Sequence, residues 1–326
     1  MTELVTAAER STEGIFRLEL PYRPIDAVNV LVLPESDGLM LIDTGPGPEE
    51  YLSAIDHGLR QLGLAGVDDV HRIGLTHAHT DHIGQAGRIQ ERTGARMHAH
   101  PDAMEFFAQR YEPERNDDLL AWFRGHGFPS DLLDKVASTL PTRPDISPRN
   151  AVDYEDEIRI QGSPWLVIET GGHAPGHVVL YQPDRGLLLS GDAVLEDIVP
   201  LIDIQPFRAK DTMQLYLDGL RDVRNLDISL VLPAHGRAFA NGRERIDELI
   251  RKHEDRITRV HQACAGQWRN AYEILEVASG RRIQGMTKLR MAFGQVIGYL
   301  GYLETNGMID TESRDGMRYF RSVNAA

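Results

Sequence analysis

The feature that most constrains this chain recurs along it: hydrophobic runs suited to buried strands finish on side chains that ordinarily sit in water. Ile73-Gly74-Leu75 leads into Thr76-His77-Ala78-His79-Thr80-Asp81-His82. Trp165-Leu166-Val167-Ile168 leads into Gly171-Gly172-His173-Ala174-Pro175-Gly176-His177. Leu187-Leu188-Leu189-Ser190-Gly191 ends on Asp192, and Ile228-Ser229-Leu230-Val231-Leu232-Pro233-Ala234 ends on His235. Strand ends are where side chains leave a sheet, so the pattern predicts an α/β fold with polar groups gathered at one sheet edge.

The densest of these turns, residues 76–82, holds three imidazoles and a carboxylate. A lone histidine is ordinarily a surface or hydrogen-bonded residue. Four strongly hydrated groups crowded into one turn gain nothing in packing. Imidazole and carboxylate are the ligand set of zinc and its first-row neighbours, which makes the turn a candidate metal site. In an extended segment alternate side chains point the same way, so His77 and His79 can share one ion. Asp81 and His82 fall where Ile83-Gly84-Gln85-Ala86-Gly87 begins a helix, and they can face a second ion. Four ligands cannot complete two coordination spheres. The later strand ends offer His173, Asp192 and His235.

With these residues in view, the chain resembles the metallo-β-lactamase superfamily over roughly residues 14–240. The family's H-x-H-x-D-H pattern is met by His77, His79, Asp81 and His82. The resemblance implies an αββα sandwich with two metals at one sheet edge. His77, His79 and His173 would hold the first ion, Asp81, His82 and His235 the second, and Asp192 would bridge them. It also implies that Asp43, in Asp43-Thr44-Gly45 after the strand Leu39-Met40-Leu41-Ile42, braces the metal-binding loop, where the residues alone allow an ordinary turn aspartate. His177, four residues after His173, is expected to support its loop or approach substrate. Zinc is the expected metal, with iron or manganese as alternatives.

Two divalent ions sharing a water bring its pKa near neutrality, so hydrolysis is the leading reaction class, with Asp81 chosen to orient the nucleophile and carry its proton. The resemblance leaves the substrate open, because this scaffold hosts thioesterases, lactonases, β-lactamases, nucleases and iron oxygenases. Formal net charge is −14 with a pI near 5.4, a poor basis for gripping a polyanion. Residues 241–326 hold 14 basic against 11 acidic residues, so the acidic excess lies in residues 1–240. No basic-then-apolar leader opens the chain and no run reaches membrane-spanning length; with a single cysteine, Cys264, this makes a cytoplasmic protein the expectation. A small-molecule substrate follows, most simply a thioester of the acyl-glutathione or acyl-CoA type, or a lactone. A phosphodiester-cleaving enzyme acting on RNA or nucleotides, and a mononuclear iron persulfide dioxygenase-like enzyme, are the alternatives.

Residues 101–150 carry helical patterns at 103–111, 118–123 and 131–140, broken by prolines and glycines. An insertion here should arch over the cleft as a helical cap, whose aromatics Phe106, Phe107, Tyr111, Trp122, Phe123 and Phe128 either line a pocket or pack the cap down. His126, between Gly125 and Gly127, is a candidate substrate contact. Residues 193–207 are apolar without periodicity and are expected to wrap the cleft rim. Beyond residue 240 an amphipathic helix (243–265) connects to helices at 271–278 and 287–305 and a hairpin about Asp315-Gly316. This order resembles a small winged-helix α+β unit, so the division is drawn at 1–240 and 241–326. Its basic residues are interspersed with acids. Packing on the body, closing the cleft or forming a homodimer is therefore expected of it rather than nucleic-acid binding.

Overall fold

The computed structural model describes residues 7–10, 13–23, 26–110, 112–140, 143, 145, 147–202 and 211–323. Two sheets form its centre. The first contains β1 (Ala7–Arg10), β2 (Phe16–Tyr22), β3 (Asp26–Glu35), β4 (Gly38–Ile42), β5 (Val70–Gly74), β6 (Arg96–Ala99) and β7 (Val152–Asp153), side by side in chain order. Neighbours are antiparallel from β1 to β4 and parallel from β4 to β7. The second contains β8 (Glu157–Ile160), β9 (Ser163–Glu169), β10 (Val178–Gln182), β11 (Leu187–Gly191) and β12 (Leu230–Pro233), antiparallel except for β11–β12.

The side-chain period of two makes the layers. In β4, Met40 and Ile42 face the second sheet, where they meet Trp165, Leu180, Leu187 and Leu189 in a dry inter-sheet core. Leu39 and Leu41 face the other way, onto α1 (Glu50–Gln61), α3 (Ala86–Thr93) and α4 (Pro101–Arg110) through Ile55, Leu59, Ile89 and Phe107. The outer face of the second sheet, with Val179, Tyr181, Leu188 and Val231, packs on α7 (Thr212–Arg224) and α8 (Gly242–Ala263). Helix, sheet, sheet, helix is the expected αββα order.

The same outer core continues into α5 (Pro113–Gly125) and α6 (Leu133–Ala137) of the insertion. It also takes in α9 (Ala271–Ser279), α10 (Met286–Thr305) and the hairpin β13 (Ile309–Arg314)–β14 (Met317–Ser322). The cluster therefore spans residue 240, with Val231 and Phe239 on one side of it and Ile246 and Leu249 on the other. The hairpin turns on Asp315 and Gly316, both at positive φ, the conformation a two-residue type I′ turn requires. No helix among the described residues is long and apolar enough to cross a membrane.

The cap aromatics divide by environment. Phe123 and Phe128 lie 5.1 and 5.0 Å from the Phe293 ring of α10, and Phe107 is buried against the first sheet. The Trp122 and His126 rings lie 4.4 Å apart at a tilt of 53°. Phe106 alone among the described aromatics of this group reaches the cavity described below. Tyr111 and residues 203–207 of the rim lie outside the described residues.

Candidate metal centre

Strand direction brings the polar turns together. β4 and β5 run parallel, as do β11 and β12, and β9 shares their sense because two antiparallel steps separate it from β11. The turns after β5, β9, β11 and β12 meet at one edge of the sandwich, where their side-chain donors come together. They carry His77–His82, in part on the short helix α2 (Thr80–Ile83), then His173, Asp192 and His235.

Candidate donor atoms cluster in three sets, each within 4.8 Å: His77, His79 and His173; His77, His82 and Asp192; Asp81, His82 and His235. His79 Nδ1 is 3.0 Å from His77 Nε2 and 3.1 Å from His173 Nε2. Asp192 Oδ2 is 3.4 Å from His173 Nε2 and 3.7 Å from His82 Nε2, while its Oδ1 is 3.4 Å from His235 Nε2. Asp192 therefore stands between the two outer sets. Asp81 Oδ2 lies 3.6 Å from His235 Nε2 and 3.7 Å from His82 Nε2.

The outward nitrogens fix which ring nitrogen points in. His82 Nδ1 donates to Asp43 Oδ2 (2.8 Å), His173 Nδ1 to the Leu201 carbonyl (2.8 Å) and His235 Nδ1 to the Ala27 carbonyl (2.6 Å). Thr76 Oγ1 donates to Asp43 Oδ2 (2.8 Å) and so accepts from His77 Nδ1 (3.1 Å). Each of these rings then presents the lone pair of Nε2 to the cluster, as an imidazole ligand must. Asp43 also accepts from the Thr76 amide (2.9 Å), and it holds this position at φ +59. One aspartate thus braces both His77 and His82.

His177 lies beside the cluster rather than in it. Its Nε2 accepts from the Asp192 amide (3.0 Å), and its Nδ1 donates to Thr170 Oγ1 (2.8 Å). Gly191, at φ +50, permits this: a Cβ there would fall 2.7 Å from His177 Nε2. Burial, with His173 next, holds His177 neutral, its pKa lowered to about 3. His126 is not brought to the cavity. It is buried in the cap with Nδ1 on the Trp122 carbonyl (2.8 Å), and its backbone carbonyl accepts from Ala271 of α9 (3.1 Å).

The donor set fits divalent metal. His82 Nε2, His235 Nε2 and Asp192 Oδ1 are buried without a hydrogen-bond partner, a costly arrangement unless a cation satisfies them. Burial alone would depress the His82 pKa, but the carboxylates of Asp192, Asp81 and Asp43 raise it well above the usual value. At His235 burial is likewise outweighed, chiefly by Asp192. Burial would raise the Asp192 pKa, yet His235 and His82 carry it well below the ordinary carboxylate range. The field at His82 and His235 thus favours positive charge, whereas burial, with His82 and His79 next, holds the His77 pKa well below the ordinary value.

Several supports were not legible as site residues. Asn29 Nδ2 donates to the Pro233 and Gly236 carbonyls (2.9 and 2.8 Å), anchoring the turn that carries His235. An asparagine inside the apolar run Val28–Leu33 was the available signal. Thr76 and Thr170 were hidden among ordinary polar residues.

A cavity of about 430 Å³ opens on His79, Asp81, His173, Asp192 and His235. Its walls come from the cap (Phe106, Arg110), the rim (Leu195, Ile198, Val199, Pro200, Leu201), the β2–β3 turn (Arg23) and α10 (Thr287, Arg290, Met291). A larger groove between α6 and α9–α10, about 900 Å³, contains none of the clustered ligands and is remote from this chemistry.

Residues 23–235 match the sequence model of the metallo-beta-lactamase superfamily. A protein of Bacillus subtilis, the probable metallo-hydrolase YqjP, is 23% identical over 96% of this chain and 99% of its own length. The crystal structure of a beta-lactamase domain protein from Burkholderia ambifaria aligns with a TM-score of 0.86 and 25% identity, covering 99% of this chain and 96% of that one. A metallo-beta-lactamase family protein from Thermus thermophilus aligns at 0.80 and 26%, covering 95% and 99%. These alignments extend past residue 235, where the family match ends.

Proposed function

The chain belongs to the metallo-beta-lactamase superfamily and is a metal-dependent hydrolase; from that premise we propose that it cleaves an anionic thioester, of the acyl-glutathione or acyl-CoA type, with two divalent ions. The observation that carries the substrate class is the cavity wall. Arg23, Arg110 and Arg290 line it beside an apolar rim, and Asp81 and Asp192 are its only carboxylates among the described lining residues. In a chain of net charge −14, three arginines around one cavity favour a ligand with negative charge and an apolar body.

Two ions rather than one are supported by the two separate outer sets of donors, with Asp192 between them. Zinc is our choice, since four of the five ring histidines are held to offer Nε2 and the rest of the set is carboxylate. Such ions, when bound, acidify water and polarise a substrate carbonyl. Asp81 orients the attacking water and accepts its proton. The water oxygen adds to the thioester carbonyl carbon, the C–S bond breaks, and Asp81 returns the proton to the departing sulfur. The arginines hold the anionic part of the substrate, and Leu195, Ile198 and Val199 keep bulk water from the acyl side.

The C-terminal helices enter this reading through α10, whose Thr287, Arg290 and Met291 form part of the wall. The helix–helix–hairpin order is that of a winged helix, and we assign the unit to closing the cleft rather than to holding nucleic acid. The same arginines would also receive a phosphodiester, the second reading. Zinc-loaded protein assayed on acyl-glutathione, acyl-CoA, lactones and bis-p-nitrophenyl phosphate separates the two. We expect thioester turnover that falls when Arg110 or Arg290 is replaced by Met. Phosphodiester turnover without thioester turnover would overturn the proposal.

A further inference from the structure

The segment after Asp192 has no regular structure, yet its polar backbone is fastened to three helices. The Ala193 carbonyl accepts from the Tyr216 hydroxyl of α7 at 2.7 Å. Arg245 of α8, itself 5% exposed, donates through Nε to the Leu195 carbonyl (2.7 Å) and through Nη2 to the Ile198 carbonyl (2.9 Å). Gln295 of α10 meets Ile202 twice: its Oε1 accepts from the Ile202 amide (3.0 Å) and its Nε2 donates to the Ile202 carbonyl (2.7 Å). A side-chain amide here pairs with both backbone groups of one buried residue, as a neighbouring strand would.

The residue before Ile202 supplies the carbonyl on which His173 Nδ1 rests. Two covalently linked residues thus carry the constraint from α10 to a member of the metal cluster. We propose that Gln295 is a positioning residue for the metal centre: by clamping Ile202 it fixes the Leu201 carbonyl, and through it the orientation of His173. Arg245 sets the upstream half of the same rim. Gln295 touches neither the donor set nor the cavity wall, so its effect passes through His173. The C-terminal region then serves the centre twice, once as cavity wall and once as the frame for a ligand. The inference rests on the proposed role of His173 as a ligand.

The test compares Gln295→Met, which keeps the volume and removes both hydrogen bonds, with Leu303→Ala, which opens a cavity in the buried part of α10 away from the rim. Amide hydrogen exchange on metal-free protein reads the clamp, and zinc(II) release to a chromophoric chelator reads the centre. We expect Ile202 to lose protection in Gln295→Met and zinc release to quicken by about tenfold, the low end of what losing a ligand's own partner costs. Leu303→Ala should lower Tm at least as far while leaving zinc release near the wild-type rate. An Ile202 amide still protected in Gln295→Met, or zinc release no faster than from Leu303→Ala, would overturn the inference alone. A wild-type chain that takes up no zinc(II) while Ile202 is protected would overturn the metal reading and, with it, the inference.

Discussion

At the scale of single residues, the buried histidines of this chain fall into two kinds, and their surroundings separate them. His82 and His235 sit against carboxylates that favour positive charge. His253 of α8 sits among tyrosines instead. It lies 3.0 Å from the Tyr299 hydroxyl and edge-on to Tyr216, with Nε2 unpartnered. Burial, helped by Arg256, lowers its pKa to about 3. A folded-state pKa below the unfolded value means that the unfolded chain takes up a proton that native His253 does not. Stability from this residue is therefore present above pH 6.5 and falls as pH drops toward 3. The loss amounts to about 2 kcal/mol by pH 5. Urea denaturation of wild type and His253→Gln at pH 7 and pH 5 checks this: the wild type should lose about 2 kcal/mol more than the variant. Equal losses would show that His253 titrates normally. Helical spacing with Ile246, Leu249, Ile250, Ile257 and Val260 puts His253 on the apolar stripe of α8, but local sequence does not show what it meets there. It meets Tyr216 and Tyr299, which come from other helices.

At the scale of elements, local pattern and long-range pairing were legible to different degrees. The ligand-bearing strand ends were plain because each apolar run stops on its polar residue, and α8, α9, α10 and the Asp315-Gly316 turn follow from period and turn chemistry. The rim at 193–202 offered no period. Its order comes from Arg245 and Gln295, partners that local sequence does not reveal. The cap was legible as helical but not in what it rests on. Phe293 of α10, fully buried, carries Phe123 and Phe128 of the cap and Tyr272 of α9 around its ring. Phe293→Ala should cost about 3–5 kcal/mol in urea denaturation. Because the lost contacts join cap to C-terminal helix, limited proteolysis should move its first cut into residues 112–140. A variant that unfolds at the wild-type urea midpoint would show that the cap does not depend on this contact.

On the scale of the whole molecule, the resemblance to a two-sheet family gave the layers, and the charge count gave the acidic body. What neither could give is that residues 241–326 share the core of the cap and of the second sheet, so that chain order and packing divide the molecule differently. The arginines of the cavity were equally hidden. They come from the β2–β3 turn, α4 and α10, and meet only in the folded chain. The candidate metal cluster draws on both sheets, His77 to His82 from the first and His173, Asp192 and His235 from the second. Metal should therefore stabilise the entire fold rather than one loop. Each tenfold rise in free zinc(II) above its dissociation constant should add about 1.4 kcal/mol to the unfolding free energy. Thermal melts across a buffered zinc series check this, and a Tm independent of zinc would place the ions outside the folding unit.

An ion shared between the two sheets works as a rivet through two plates, and a rivet does more than hold. Chain that emerges where metal is scarce keeps its plates together by the inter-sheet core and a few bonds such as those of Asn29 to the Pro233 and Gly236 carbonyls. It opens more often, and opened chain is what proteases remove. The steady-state amount of this enzyme would then follow the metal supply with no dedicated regulator, so that little protein persists when its cofactor is lacking.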